Sequence, residues 1–153
     1  MNSIIVLMTV SQVSSDSPIP VTSSPMWMEV CGWSVSAGFG SPAADHTRKR
    51  IDLNEHLIRN GDATHIFRVS GDSMIGIGIY EGDRLLIDKS IEPKHNNIVL
   101  AVLNNEFTVK RFYRRGGVFK LVAENPIYPP IVIKEGDDFS VWGVVTYNLH
   151  KLL

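Results

Sequence analysis

Residues 98–113 of the chain read IVLAVLNNEFTVKRFY. Two runs rich in apolar and β-branched residues, Ile98–Leu103 and Glu106–Tyr113, are separated by Asn104-Asn105. An asparagine pair between such runs is typical of the two-residue turn of a β-hairpin. The stretch therefore predicts two antiparallel strands joined by a hairpin turn.

The second run of this hairpin carries a lysine in an unusual place. Period-two alternation puts Phe107 and Val109 on one face of the strand and Thr108 and Lys110 on the other. One explanation for Lys110 is an edge-strand lysine that blocks aggregation. The other is a buried amine that acts as a general base, and the residues alone leave both open.

Short β-rich runs separated by turn residues continue on both sides of the hairpin. They are 64–69, 84–88, 118–123, 131–133 and 141–149. Asp52-Leu-Asn-Glu55 has the pattern of a capping box and predicts a short helix that runs to about Asn60, with Gly61 as its stop. The fold class predicted from this pattern is mainly β, a compact domain of short, mostly antiparallel strands with one short helix.

The composition changes near residue 38. Residues 1–37 contain no Lys or Arg, eleven Ser or Thr, and three prolines. Such a segment cannot bury enough apolar surface to fold alone, so we predict a flexible N-terminal arm over 1–37 and one folded domain over 38–153. Because Trp27 and Trp33 are costly to leave in water, part of the arm is expected to dock on the domain or on a partner.

The net charge and the cysteine content limit the classes of protein to which this sequence can belong. The formal net charge is -1, with 15 basic and 16 acidic residues, whereas nucleic-acid binders usually carry a basic excess. We therefore do not expect direct DNA binding to dominate, and Arg111, Arg114 and Arg115 are interpreted as a solvated strand end and turn. The single cysteine, Cys31, excludes an intrachain disulfide and fits a reducing cytosol.

The N-terminal apolar run does not predict membrane insertion or secretion. It covers residues 4–8, far short of the roughly 20 apolar residues needed to cross a bilayer. No Lys or Arg precedes it, as a secretory signal would require. The sequence therefore predicts a soluble, cytoplasmic protein without a membrane partner.

Most common catalytic motifs are absent. Ile75 occupies the place of the second glycine of a Gly-x-Ser-x-Gly elbow. A phosphate-binding loop, a His-Glu-x-x-His helix and a Cys-x-x-Cys pair are also missing. The five histidines, which show no ligand spacing, are His46, His56, His65, His95 and His150. We therefore expect neither a metal nor a cofactor.

What remains is Ser70-Gly-Asp-Ser73-Met74 at a strand end, followed later by Lys110. Burial disfavours an ammonium ion and lowers the pKa of a lysine toward about 7–8 in tuned sites. A neutral amine within hydrogen-bonding distance of a serine can take its proton, and Ser–Lys pairs are a known variant of triad chemistry. Spacing alone does not establish such a pair here.

Several motifs together resemble the UmuD/MucA family. In order, they are Ala37-Gly38-Phe39, Ser41-Pro-Ala-Ala-Asp45, Ile51-Asp-Leu-Asn54, Ser70-Gly-Asp-Ser-Met74, Gly82-Asp83, Glu106-Phe-Thr-Val-Lys-Arg111 and Trp142-Gly-Val-Val-Thr146. The similarity covers residues 37–149, and residues 1–36 contain no recognisable motif of the family.

The resemblance implies a LexA/UmuD-type protease domain with a Ser–Lys dyad. Carried over by position, the nucleophile is Ser73, the general base is Lys110, and the scissile bond joins Ala37 and Gly38. It also implies that a RecA filament on single-stranded DNA promotes self-cleavage in the SOS response to DNA damage. The shortened chain, expected to be a homodimer, would then join a UmuC-like Y-family polymerase for error-prone translesion synthesis.

Three departures from the family pattern concern geometry rather than the dyad. Asn96-Asn97 replaces a common Gly-Asp step, although it still supplies turn chemistry. Gly76 stands where relatives often have Asp, and Gly40 replaces a common proline after the Gly-Phe step. These departures affect the expected cleavage rate and the geometry of the segment that is cut.

Three alternatives come from other classes of protein. A membrane-bound signal peptidase uses the same dyad but needs a spanning helix. A LexA-like repressor needs a helix-turn-helix before the cleavage site, and 37 residues with three prolines and no basic charge do not supply one. A non-cleaving scaffold that only binds the polymerase is disfavoured by the presence of Ser73, Lys110 and Ala37-Gly38 together.

Overall fold

The computed structural model describes residues 24–31 and 48–153. The chain divides into two compact units, one over Asp16–Arg59 and one that contains Asn60–Leu153. The predicted boundary between residues 37 and 38 lies outside the described residues. Among the helices described, none is long and apolar enough to cross a membrane.

The first unit contains a two-stranded ladder that the sequence did not predict. Strand β1 (Trp27–Cys31) pairs antiparallel with β2 (Arg48–Asp52), in a register that sets Cys31 opposite Arg48. The side chains described for β1 are exposed, including Trp27 and Met28. One backbone hydrogen bond extends the ladder, from the Leu53 N–H to the Met26 carbonyl at 2.8 Å.

Helix α1 (Leu53–Leu57) follows β2 directly. Asp52 is its N-cap, as predicted, because its carboxylate accepts a hydrogen bond from the Asn54 N–H at 3.0 Å. The helix is shorter than the predicted one, which reached about Asn60. It ends because Ile58, a β-branched residue, adopts an extended conformation at φ -118° and ψ 107°.

The second unit is built around one antiparallel seven-stranded sheet. Its strands are β3 (Thr64–Arg68), β4 (Arg84–Asp88), β5 (Ile98–Leu103), β6 (Glu106–Arg115), β7 (Val118–Val122), β8 (Ile131–Val132) and β9 (Phe139–Leu149). Their order across the sheet is β3-β4-β9-β5-β6-β7-β8. All seven predicted runs form strands, and a 3₁₀ turn, Ile75–Ile77, lies between β3 and β4. The predicted mainly β fold with one short α-helix is confirmed.

The β5–β6 hairpin has the predicted register and turn. Leu103 is opposite Glu106, so Asn104 and Asn105 alone connect the strands. Both asparagines have positive φ angles, 49° and 66°, as a type I′ turn requires. The hairpin carries Lys110 opposite Val99 on a neighbour that is buried on both faces.

Buried side chains form two clusters in this unit. The first consists of Phe67, Val69, Met74, Ile79, Leu85, Ile87, Leu100 and Val109, and the second of Val99, Ala101, Phe112, Leu121 and Val144. Successive residues of β5, Val99 and Leu100, contribute to different clusters because side chains alternate across a strand. The sheet therefore buries apolar side chains on both of its faces around β5 and β6.

Strand β9 passes very close to β4. A Cβ atom at Gly143 would lie 2.7 Å from Cγ2 of Ile87 and 3.1 Å from the Asp88 carbonyl oxygen. Only glycine fits this approach without displacing the neighbouring strand. Gly143 therefore allows β9 to lie between β4 and β5 in the sheet.

Candidate active site

Ser73 lies on the loop that connects β3 to β4. The loop is closed at its base by two backbone hydrogen bonds, from Val69 N–H to the Asp83 carbonyl and from Gly82 N–H to the Val69 carbonyl, both 2.9 Å. The next side chain after Ser73, Met74, is buried in the first core cluster. Val69 and Met74 therefore anchor the loop in the core on both sides of Ser73.

The Lys110 amine lies beside the Ser73 hydroxyl. Nζ of Lys110 is 2.9 Å from Oγ of Ser73, although 37 residues separate them in sequence. Both residues are buried, with 6% and 7% of their surfaces exposed. The structure therefore brings together the two residues that the family resemblance paired.

Two further oxygens surround the amine. Lys110 Nζ donates to Thr108 Oγ1 at 2.9 Å and to the Val109 carbonyl oxygen at 3.0 Å. A protonated amine has three N–H groups, which match these two oxygens and Ser73 Oγ. A neutral amine has only two, so with both given to Thr108 and Val109 its lone pair is directed at Ser73.

Burial changes the acidity of this amine. Removal from water disfavours the charged form and lowers the pKa of Lys110 from 10.5 to about 8. The three oxygens bonded to Nζ are neutral and none belongs to a carboxylate, so they offset only part of this cost and burial prevails. A substantial fraction of the amine is therefore neutral in mildly alkaline solution and can accept a proton.

A small cleft opens at the dyad. It is lined by Val69, Ser70, Gly71, Ser73, Met74, Val109 and Lys110. Gly71 has a φ of 92°, a conformation that L side chains rarely adopt. With no side chain at this position, Gly71 lines the cleft beside Ser73 with backbone alone.

The segment after β7 holds the Ser73 loop. Glu124 N–H donates to the Ser73 carbonyl at 2.8 Å, and the Glu124 carbonyl accepts from Gly76 N–H at 2.7 Å. A Cβ atom at Gly76 would lie 2.2 Å from that carbonyl oxygen. The departure from the family pattern at Gly76 therefore fits this close backbone contact.

Residue 72 is held by the same segment. Asn125 Nδ2 donates to the Asp72 carbonyl at 3.1 Å, and the Tyr128 hydroxyl donates to Asp72 Oδ1 at 2.5 Å. The hydrogen bond to Asp72 raises the pKa of Tyr128 above its ordinary value. The residues on both sides of Ser73 are thus fixed from one neighbouring segment.

Asp83 forms a second support beneath the loop. Burial raises the pKa of its carboxyl, but hydrogen bonds from the Tyr80 N–H, His150 and Asn148 outweigh burial and lower that pKa overall. Asn148 Nδ2 also donates to the Gly78 carbonyl at 2.9 Å. The buried carboxylate is therefore ionised and joins the loop to the end of β9.

Ala37 and Gly38, the residues predicted for the scissile bond, lie outside the described residues. Within 24–31 and 48–153, no group of three His, Cys, Asp or Glu side chains could hold a metal ion. Arg114 and Arg115 are exposed at the end of β6, next to a turn at Gly116-Gly117, as the strand-end interpretation predicts. For Arg111 that interpretation is wrong, because its side chain is half-buried and contacts the Glu124 carboxylate and the Asn96 carbonyl.

Sequence reasoning missed the residues that support the dyad. Thr108 was placed on the same strand face as Lys110, but its contact with the amine was not predicted. Glu124, Asn125 and Tyr128 carried no motif. Glu124 acts on Ser73 through its backbone N–H, which almost any residue can supply, so no pattern indicated it. The side chains of Asn125 and Tyr128 reach residue 72 only through the tertiary fold, 53 and 56 residues away in sequence.

Comparison with known proteins gives consistent matches. The family described as Peptidase S24-like matches residues 27–146, so the similarity begins before residue 37, where the sequence motifs placed its start. Protein SamA of Salmonella typhimurium is 41% identical over 133 residues, covering 86% of this chain and 89% of SamA. Protein MucA of Escherichia coli is 38% identical over 117 residues, covering 75% of this chain and 79% of MucA.

Two other relatives extend the comparison. Protein ImpA of Escherichia coli is 35% identical over 132 residues, covering 83% of each chain. The LexA repressor of Bordetella avium is 34% identical over 139 residues, which cover 88% of this chain and 64% of the repressor. The predicted kinship with the UmuD/MucA family is confirmed.

The lowered pKa of Lys110 predicts a pH-dependent difference in stability. Below about pH 8 the amine is protonated in both the folded and unfolded states, so the folded state bears the full cost of burying charge. Between about 8 and 10.5 only the unfolded chain keeps the proton, and stability rises with pH. Relative to Lys110→Met, the protein should gain about 3 kcal/mol over this interval, since one pKa unit corresponds to about 1.4 kcal/mol.

The measurement is denaturant unfolding at several pH values, with Ser73→Ala present in both proteins to prevent cleavage. Groups other than Lys110 titrate alike in the two proteins, so their contributions cancel. A difference in unfolding free energy that stays constant from pH 7 to about 10.5 would mean that the amine keeps its ordinary pKa.

Proposed function

Since this chain belongs to the peptidase S24-like family, we propose that it is a serine peptidase that cleaves itself, with Ser73 as nucleophile and Lys110 as general base. The observation that carries the proposal is the 2.9 Å approach of a buried amine to a buried hydroxyl. Burial lowers the pKa of that amine to about 8, so it can serve as a base near neutral pH.

The proposed reaction cleaves the bond between Ala37 and Gly38. Neutral Lys110 takes the Ser73 proton while Oγ attacks the Ala37 carbonyl carbon, and the resulting ammonium then protonates the departing Gly38 nitrogen. Water, deprotonated by Lys110, hydrolyses the ester left on Ser73 and completes the cycle. The Ser73 N–H has no acceptor within 60–153, so it is available to stabilise the oxyanion.

The β1–β2 ladder suggests how cutting would change the protein. Residues 32–47 connect the strands, and this stretch contains both Ala37 and Gly38. A two-stranded ladder is marginal in water by itself, but a covalent connection gives its strands a high effective concentration. Cleavage removes that connection, and β1 is then free to dissociate together with the rest of the arm.

We place this activity in the SOS response to DNA damage, in the cytoplasm. The similarity to SamA, MucA and ImpA over most of their lengths supports this assignment. In the proposed sequence of events, a RecA filament on single-stranded DNA favours the conformation in which residues 37–38 reach Ser73. The shortened chain, as a homodimer, then binds a UmuC-like Y-family polymerase as its accessory subunit for translesion synthesis.

The first prediction concerns the dyad and the product. Purified protein, incubated with RecA, single-stranded DNA and a nucleotide analogue, should yield a fragment that begins at Gly38 and has 116 residues (153 − 37). Ser73→Ala and Lys110→Ala should each abolish cleavage. Lys110→Arg should also fail because a guanidinium stays protonated. The rate should rise with pH through a midpoint near 8 as Lys110 loses its proton.

Lys120→Ala is a matched control, since its amine lies over the Tyr113 ring on the neighbouring strand. It should cleave like the unmodified protein. Fragment mass and N-terminal sequence measure the site of cleavage, and thermal unfolding tests whether each variant folds. Substantial cleavage by a folded Lys110→Ala protein at neutral pH would eliminate the proposed mechanism.

The second prediction links cleavage to function in cells. A chain that starts at Gly38 and carries Ser73→Ala should support damage-induced mutagenesis, because the arm is already absent. The full-length Ser73→Ala protein should not, since it cannot remove its arm. Mutation frequency after DNA damage is the measurement, and equal frequencies from both chains would favour the non-cleaving scaffold.

A further inference from the structure

The dyad belongs to a closed ring of contacts. Lys110 Nζ approaches Ser73 Oγ at 2.9 Å, and the Ser73 carbonyl accepts from Glu124 N–H at 2.8 Å. The Glu124 carboxylate forms an ion pair with Nε of Arg111. Arg111 follows Lys110 on β6, so one peptide bond closes the ring.

The two residues of the dyad are held by different parts of the fold. Lys110 belongs to a long strand that is hydrogen-bonded to β5 and β7, whereas Ser73 lies on a loop. The β6–β7 ladder brings the chain next to Glu124 close to β6, since Val122 pairs with Arg111. Glu124 adds a direct link from the loop to β6, because its backbone holds Ser73 and Gly76 while its side chain contacts Arg111.

The Arg111 side chain is itself held at a second point. Its Nη1 donates to the Asn96 carbonyl oxygen at 2.7 Å. Asn96 is in turn fixed to β6 by a hydrogen bond from its N–H to the Phe112 carbonyl at 2.8 Å. The guanidinium is therefore directed at Glu124 by a contact on its other side, as its planar fork of donors allows.

We propose that Arg111 and Glu124 are positioning residues for self-cleavage: their ion pair sets the distance and alignment between the Lys110 amine and the Ser73 hydroxyl. This inference rests on the proposed function of the dyad. Neither residue is asked to touch the substrate or to exchange a proton with it. Their contribution is to hold Lys110 Nζ and Ser73 Oγ at a distance that allows proton transfer. A misplacement of about 1 Å can cost on the order of 100-fold in rate.

Two features separate this role from general stabilisation. The side chains of Arg111 and Glu124 are 30% and 23% exposed, and ion pairs open to solvent add little to stability. The residues that Glu124 contacts through its backbone keep those hydrogen bonds when only its side chain changes. Loss of the pair should therefore lower the cleavage rate without a comparable loss of folded structure.

The test is a double-mutant cycle on the self-cleavage rate of the full chain. Arg111→Ala and Glu124→Ala should each slow cleavage by roughly 10- to 100-fold. The double variant should be no slower than either single one, because each change breaks the same contact. Glu124→Gln, which keeps an acceptor oxygen at the same place, should recover much of the rate.

Controls separate the possible failures. Arg114→Ala removes an arginine from the same strand whose guanidinium lies over the Phe119 ring, and it should cleave normally. The pH midpoint of the slow variants should stay near 8 if only positioning is lost. A midpoint that rises toward 10.5 would indicate that water has entered the site through local unfolding, and would overturn the proposal.

Additive effects in the double variant, or wild-type rates from both single variants, would equally overturn it. Ser73→Ala, assayed in parallel, tests the proposed function separately. If Ser73→Ala still cleaves, the dyad assignment fails. If Ser73→Ala is inactive while Glu124→Ala and Arg111→Ala are fully active, only the positioning role fails.

Discussion

The Lys110 amine is enclosed by protein at hydrogen-bonding distance from a serine hydroxyl, and the rest of the site depends on that enclosure. An amine taken out of water loses hydration that no carboxylate restores here, so the cost of burial appears as a lowered pKa. In the proposed mechanism the same cost makes the chemistry possible, because only the neutral amine can accept a proton. The burial of two apolar clusters, one on each side of β5, stabilises the sheet and offsets this cost.

Among the parts of the chain that the structure describes, the Ser73 loop is held by more side-chain contacts than the β1–β2 ladder. The Ser73 loop is hydrogen-bonded to Glu124, Asn125 and Tyr128 and is anchored in the core through Met74. The β1–β2 ladder, by contrast, exposes its large apolar side chains and rests mainly on backbone hydrogen bonds. In the proposed self-cleavage, the first property fixes the geometry of Ser73 and Lys110, and the second allows β1 to dissociate once the chain is cut.

The sequence predicted those features that depend on residues close together along the chain. All seven strands of the sheet, the Asn104-Asn105 turn and the Asp52 cap follow from alternation, turn chemistry and capping, which are local rules. The β1–β2 pairing was not predicted because the strands lie far apart in sequence and Trp27–Cys31 alternates weakly. The contacts of Glu124 were missed for another reason, since a backbone N–H can come from almost any residue. Ser73 and Lys110 were identified through the family resemblance, because their spacing alone does not distinguish a dyad from two unrelated residues.

The proposed mechanism requires a neutral lysine, so the ionisation of Lys110 tests that mechanism most directly. The pKa of its amine can be measured by NMR titration of the Ser73→Ala protein, labelled at lysine nitrogen and assigned with Lys110→Met. Because burial rather than the serine contact lowers the pKa, the amine should titrate near 8 even in this variant. A value close to 10.5, that of a lysine in water, would contradict the mechanism, since the amine would then be fully protonated wherever the protein is proposed to act.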